Sequence, residues 1–182
     1  SLFATNVLID PATGKHLTGG QSSIMLGVFT VSLIVTAIPA GILGGKIGRK
    51  KTITIGLVGI TALFIPMYFL RDLKAMYALL FISGSFWAFI NINSLPMVVE
   101  MAGEKHIGTF TGYYYTFSCS SAIASPILFG GLMSLTHDNY PLMFIYAVVA
   151  FLAAIACFSF VKHGESAPAK LSITEVMGMQ DD

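Results

Sequence analysis

Five long stretches of this 182-residue chain contain no Asp, Glu, Lys or Arg, and they constrain its fold more than any other feature. They run from His16 to Gly45, Thr52 to Leu70, Ala75 to Val99, His106 to His137 and Asn139 to Val161. Even the shortest, Thr52 to Leu70, spans roughly 30 Å as an α-helix, which is the thickness of a bilayer's hydrocarbon core. The sequence therefore predicts five membrane-spanning helices.

Composition favours the same fold class. Hydrophobic residues make up 55% of the chain and charged residues only 10%, whereas a soluble domain contains about 25% charged residues. Each stretch is continuously apolar instead of alternating, which favours helices over barrel strands. Five such helices in a soluble protein would leave almost no polar surface to face water. We therefore expect an all-α membrane protein.

The charge-free stretches also give a provisional division of the chain. We expect a five-helix transmembrane bundle over residues 22–162, with spans at about 22–44, 52–70, 75–95, 108–133 and 140–161. The third span is expected to end at Pro96. Residues 1–21 are interpreted as the end of a truncated sixth helix and an external loop, because the apolar run Ser1 to Ile9 is too short to span alone. Residues 163–182 are interpreted as a tail, and the whole as part of a larger helical protein.

Sidedness follows from the cations, since Lys and Arg resist translocation. Connectors on one side hold seven of them: Lys46, Arg49, Lys50, Lys51, Lys105, Lys162 and Lys170. The other side holds Lys15, Arg71 and Lys74. The first side, with the C-terminal tail, is therefore predicted to be cytoplasmic.

Other classes of function receive little support. Cys119 and Cys157 lie inside predicted spans without CxxC spacing, and the four histidines are scattered over connectors on both sides, so neither a metal site nor a membrane enzyme is indicated. The net charge of +1 gives no indication of nucleic-acid binding, because topology accounts for the cations.

The connector from Gly41 to Lys51 packs four glycines and four cations between the first two spans. It resembles the signature of the major facilitator superfamily, G-x-x-x-D-[RK]-x-G-[RK]-[RK]. The matching residues are Gly41, Lys46, Gly48, Arg49 and Lys50, while Gly45 replaces the acidic residue. This departure favours the weaker copy of the motif in the second half of such carriers.

The third and fourth spans extend this resemblance over nearly the whole chain. Asn91 to Glu100 and Gly108 to Tyr114 are similar to helices 10 and 11 of the sucrose-type and glycoside-pentoside-hexuronide cation symporters. The resemblance implies the C-terminal half of a twelve-helix carrier of the cell membrane that transports a sugar or glycoside with a cation. Its partners would be that solute, the lipid bilayer and the N-terminal six-helix half.

The resemblance also implies a cytoplasmic gate. Arg49 and Lys50 are expected on the same membrane side as Glu100 and can pair with it. In related carriers, such charges between helix ends hold the inner gate of the outward-facing state. The alternative is that these cations only fix topology and meet lipid headgroups.

Candidate substrate-binding residues lie in the third and fourth spans: Trp87, Asn91, Asn93, Tyr113 and Tyr114. An amide, an indole ring or a phenol suits a polyhydroxylated ligand that has an apolar face. Asn91 and Asn93 are two residues apart and so face different directions, which means that at most one is expected to meet a ligand. Helix packing is the alternative role for each of them.

The spans contain no ionisable group of the kind that holds a driving ion. A coupling site for H⁺ or Na⁺ is therefore expected in the other half of the carrier, and no other cofactor is indicated. Uniport, a facilitator of another solute and a non-transporting scaffold remain as alternatives. An organic-anion carrier is disfavoured because no span holds a buried Arg or Lys.

Overall fold

A computed structural model describes residues 2–11, 13–102, 106–137 and 139–161, and this part of the chain is built from helices. The helices are α1 (Leu2–Val7), α2 (Gly19–Ile47), α3 (Arg49–Phe69), α4 (Leu73–Ala102), α5 (Ile107–Leu135) and α6 (Leu142–Ser159). All but α1 are long and apolar enough to cross a membrane. The predicted all-α membrane fold is therefore confirmed; the predicted tail, residues 163–182, lies outside the described residues.

Apolar side chains cover the outside of this bundle. The most hydrophobic window of each long helix is only 6 to 39% buried. Ile38, Phe117 and Leu135 are each more than two-thirds exposed. A surface of this kind is stable in contact with lipid but not with water. The apolar exterior therefore agrees with the prediction of an integral membrane protein.

Helix α4 is the centre of the bundle. It packs most extensively against α2 and next against α3, while α6 packs on α3 and α5 packs chiefly on α4. Several glycines permit close helix approach, and two of them lie against the backbone of a neighbouring helix. A Cβ atom at Gly84 would collide with the Phe29 carbonyl oxygen and lie 2.9 Å from the Ser32 Cβ, so α2 and α4 cross at backbone contact distance. The second is Gly56 of α3, where an added Cβ would lie 2.8 Å from the Phe86 carbonyl oxygen of α4.

The connection between α2 and α3 is shorter than the sequence suggests. Helix α2 passes through Pro39 and ends at Ile47, Gly48 adopts a φ of 98°, and α3 starts at Arg49. A single residue in a conformation that favours glycine therefore makes the turn. The charge-free stretches underestimate helix length because they mark the hydrocarbon core, whereas helices continue into the interfacial layer.

The expected helix end at Pro96 is wrong. Helix α4 continues beyond this proline to Ala102 and carries Glu100 in its last turns. Proline removes one backbone hydrogen bond, but in a membrane the remaining backbone groups are best satisfied by continuing the helix. This extension brings Glu100 to the level of the α2–α3 turn.

The α2–α4 crossing generates a prediction about stability. Replacing Gly84 with Ala inserts a methyl group where no space exists, and overpacking of this kind costs about 1–3 kcal/mol. Gly27→Ala is the matched control, because an added Cβ at Gly27 in α2 meets nothing within 4 Å. We heat the full-length protein and measure the temperature at which half of it no longer elutes as a monodisperse chromatographic peak. We expect only Gly84→Ala to lower this temperature. Equal midpoints for the two variants would contradict the close crossing.

Candidate functional site

An ion pair joins the start of α3 to the end of α4. Arg49 Nη2 lies 2.6 Å from Glu100 Oε1, and the two side chains are 30% and 23% exposed. A partly exposed pair of this kind contributes about 0.2–1 kcal/mol. It is strong enough to favour one arrangement of the helix ends and weak enough to break reversibly.

Lys50, the other cation expected to meet Glu100, has a different partner. Its ammonium group donates a hydrogen bond of 2.5 Å to the carbonyl oxygen of Val161, just beyond the end of α6. Adjacent residues project from different sides of a helix, so Arg49 reaches α4 while Lys50 reaches α6. The first turn of α3 therefore ties together the ends of two neighbouring helices.

The remaining motif residues surround this turn. A Cβ at Gly41 would make an ordinary contact of 3.7 Å with Ile92 of α4, and Lys46 is exposed in the last turn of α2. Gly45, at the position of the family's acidic residue, faces open space within the described structure. The motif residues thus form a short basic turn between α2 and α3.

Asn93 lies between α2 and α4, where it is 1% exposed. Its Nδ2 group donates to the carbonyl oxygens of Ala40, at 3.1 Å, and Phe89, at 2.9 Å. Its side chain occupies the space that a Cβ at Gly44 would need. Both amide protons are used within the bundle, whereas the buried Oδ1 atom of Asn93 accepts no hydrogen bond from the described residues. Because the bond to Ala40 crosses from α4 to α2, the amide group clamps these two helices together.

Trp87 and Asn91 have different surroundings from Asn93. The Trp87 ring packs edge-on against Phe151 of α6, with 6.3 Å between ring centroids, whereas the Asn91 side chain is exposed. Asn91 precedes Val98 by seven residues, so the two share one face of α4. Of the two amides, Asn91 is therefore the exposed one and Asn93 the buried one.

Tyr113 and Tyr114 line an open cleft of about 500 Å³ between α4 and α5. The other lining residues are Val98, Phe110, Phe117, Ser118 and Ser121. Neither tyrosine hydroxyl bonds another residue in the described structure, and the Tyr113 side chain is 60% exposed. The cleft combines aromatic surfaces with free phenol groups and carries no charged side chain, which suits a neutral ligand with several hydroxyl groups.

Sequence reasoning missed a chain of hydroxyl groups across the α2–α4 contact. Ser32 donates to the carbonyl oxygen of Phe81. Ser85 and Ser32 are 2.9 Å apart, and Thr36 donates to Ser85 over 3.0 Å. Because Ser32 uses its only proton on the carbonyl, Ser85 must donate to Ser32. The spacing of Ser32 and Thr36, four residues apart, was the available signal, but Ser85, their partner on α4, follows Thr36 by 49 residues.

Comparison with known proteins assigns the chain to a family. The model of the Major Facilitator Superfamily matches residues 1–176. An uncharacterized MFS-type transporter of Methanocaldococcus jannaschii is 27% identical over 124 residues, which are 67% of this chain and 30% of that protein. The chain therefore matches less than a third of the length of this relative, and no solved structure matches it. The extent of the family match shows that the chain belongs to the major facilitator superfamily.

Proposed function

We propose that this chain forms part of a secondary transporter that carries a sugar or glycoside across the cell membrane by alternating access, together with a cation. The observation that carries the proposal is the uncharged, tyrosine-lined cleft between α4 and α5 in a chain of this superfamily. Transporter sites of this kind lie between helices near the bilayer midplane.

The chemistry of the cleft favours a neutral polyhydroxylated solute. Tyr113 and Tyr114 offer aromatic surface and hydroxyl groups, and Asn91 lies on the α4 face that Val98 contributes to the cleft. A buried charge in hydrocarbon needs a partner of opposite sign, and the five charge-free stretches supply none. A coupling ion would therefore be held by another part of the carrier.

The partner of this bundle would be a second half of the same carrier. Helix α5 has only 6% of its most apolar window buried, although it is the helix with the most hydroxyl-bearing side chains. A helix of this composition is suited to line a shared cavity, so α5 would face both the solute and the other half.

In this proposal Arg49 and Glu100 form the gate on the cytoplasmic side. Their ion pair holds the cytoplasmic ends of α3 and α4 together in the outward-facing state and breaks when the halves rock, while the rest of the α3–α4 contact stays packed. The α2–α4 contact stays closed throughout the cycle. If these helices separated, Asn93 would lose its buried hydrogen bond to Ala40 and the three hydroxyl groups would lose their part-buried bonds across the contact.

The cleft generates a prediction for transport. In proteoliposomes containing the full-length carrier, Tyr113→Phe should raise the KM for a labelled disaccharide about two- to tenfold, the effect of losing one hydrogen bond. Tyr115→Phe is the matched control, because it removes the same hydroxyl from a nearby residue of α5 that does not line the cleft. Equal KM values for the two variants would contradict the assignment of the cleft, and absence of disaccharide uptake in the unmodified protein would contradict the substrate class.

Variants of Asn91 and Asn93 should have different effects, one on solute binding and the other on stability. Asn91→Leu should impair disaccharide uptake and leave the thermal midpoint unchanged, since Asn91 is exposed. Asn93→Leu should lower the free energy of unfolding by about 1–3 kcal/mol, since it removes the donor that the Ala40 and Phe89 carbonyl groups share. Chromatographic thermal stability and initial uptake rates measure both effects; the reverse pattern would contradict these roles.

The proposed gate leads to a prediction about reversing the charge of Glu100. Glu100→Lys places two cations together and should shift the carrier toward the inward-open state, which increases the labelling rate of cysteines introduced into the inner cavity. The double variant Arg49→Glu, Glu100→Arg restores an ion pair and serves as the control. Unchanged labelling in Glu100→Lys would contradict the gate.

A further inference from the structure

A basic cleft lies beside the α2–α3 turn, separate from the tyrosine-lined cleft. It is open, has a volume of about 740 Å³ and is lined by Ile47, Lys50, Lys51, Thr54 and Ile55. Lys51 and Ile55 are exposed, so the cleft opens to the surroundings of the bundle. Positive charge and apolar walls therefore meet in one surface feature at the membrane boundary.

The positive charge of this cleft is not neutralised by the described part of the protein. The nearby carboxylate, Glu100, is paired with Arg49, and neither Lys46 nor Lys51 has a carboxylate within ion-pair distance among the described residues. The first turn of α3 contains no acidic residue either. Because a helix N-terminus adds a partial positive charge, the cleft attracts an anion.

An apolar stripe continues from the cleft along α3. Its members are exposed and three or four residues apart, so they lie on one face of the helix. They are Ile55, Val58, Ala62, Ile65 and Phe69. Because Lys51 belongs to the same face, the stripe runs from the cation for about 27 Å, calculated at ~1.5 Å per residue, which is more than the depth of one lipid leaflet.

We propose that the cleft is a binding site for an anionic phospholipid, with Lys51 contacting the headgroup phosphate and an acyl chain lying along the stripe on α3. Basic pockets at helix ends recognise such headgroups, and the apolar stripe favours a lipid over a free anion. The bound phosphate also reduces repulsion among Lys46, Lys50 and Lys51, and so stabilises the turn from which Arg49 reaches Glu100.

Native mass spectrometry of the full-length protein tests this site with phosphatidylglycerol and phosphatidylcholine as probes. The wild type should prefer phosphatidylglycerol, and Lys51→Gln should weaken its binding about fivefold, the factor expected for losing one lysine near an anionic lipid. Lys74→Gln is the matched control, because Lys74 is an exposed lysine in the first turn of α4, at the opposite membrane boundary. Equal binding by both variants would overturn the proposal.

Two measurements on the wild type keep the proposal testable if Lys51→Gln does not fold. A photoactivatable phosphatidylglycerol should crosslink to residues 47–58, and crosslinks found only elsewhere would overturn the site. Dihexanoyl phosphatidylglycerol should bind more weakly than the long-chain lipid, and inorganic phosphate should not displace the latter. Equal binding of the short-chain lipid, or displacement by phosphate, would show a free-anion site and contradict the lipid assignment.

Discussion

The close contact of α2 with α4 is the interaction on which the rest of the structure depends. Lipid tails are as apolar as leucine, so helices in a bilayer associate through tight packing and hydrogen bonds instead of hydrophobic burial. Gly84 lets the α4 backbone approach that of α2, and Asn93 crosses the interface to the Ala40 carbonyl. With α4 fixed in this way, α3 packs on it, α5 borders a cleft with it, and Glu100 lies at its end.

Polar groups are distributed along the helices according to what the surroundings can satisfy. Buried positions in the helices carry neutral amides and hydroxyls, and Asn93 and Ser32 use theirs to bond carbonyl groups. Among the described residues, the Ser83 hydroxyl and the Asn93 Oδ1 atom are buried without a partner. Charged side chains occupy helix ends. The buried bonds are costly to break, since nothing in hydrocarbon replaces them, while a partly exposed ion pair exchanges easily with water. This contrast supports the proposed transport cycle, in which α2 and α4 move together and the helix ends open.

The amino-acid sequence was sufficient to predict the helices but not their contacts. The absence of charge over a stretch is a local property, so five spans and the basic turn could be predicted from the order of residues alone. The single-residue turn at Gly48 and the continuation of α4 beyond Pro96 could not, because interfacial layers extend helices past the apolar core. For Asn93 the sequence left binding and packing open and did not indicate its neighbours, Ala40 and Gly44, because these are about 50 residues away. The partner of Lys50 could not be predicted for the same reason, since the carbonyl oxygen that accepts its hydrogen bond belongs to Val161, just beyond the end of α6.

The central claim is that α2 and α4 stay together while the carrier works. It is tested most directly by crosslinking the two helices through Ser32→Cys and Ser85→Cys, whose hydroxyl oxygens are 2.9 Å apart, after replacing Cys119 and Cys157. We expect mild oxidation to form the disulfide in the full-length protein while solute uptake continues at a similar rate. Failure of the disulfide to form, or loss of uptake on oxidation that reduction restores, would contradict the claim.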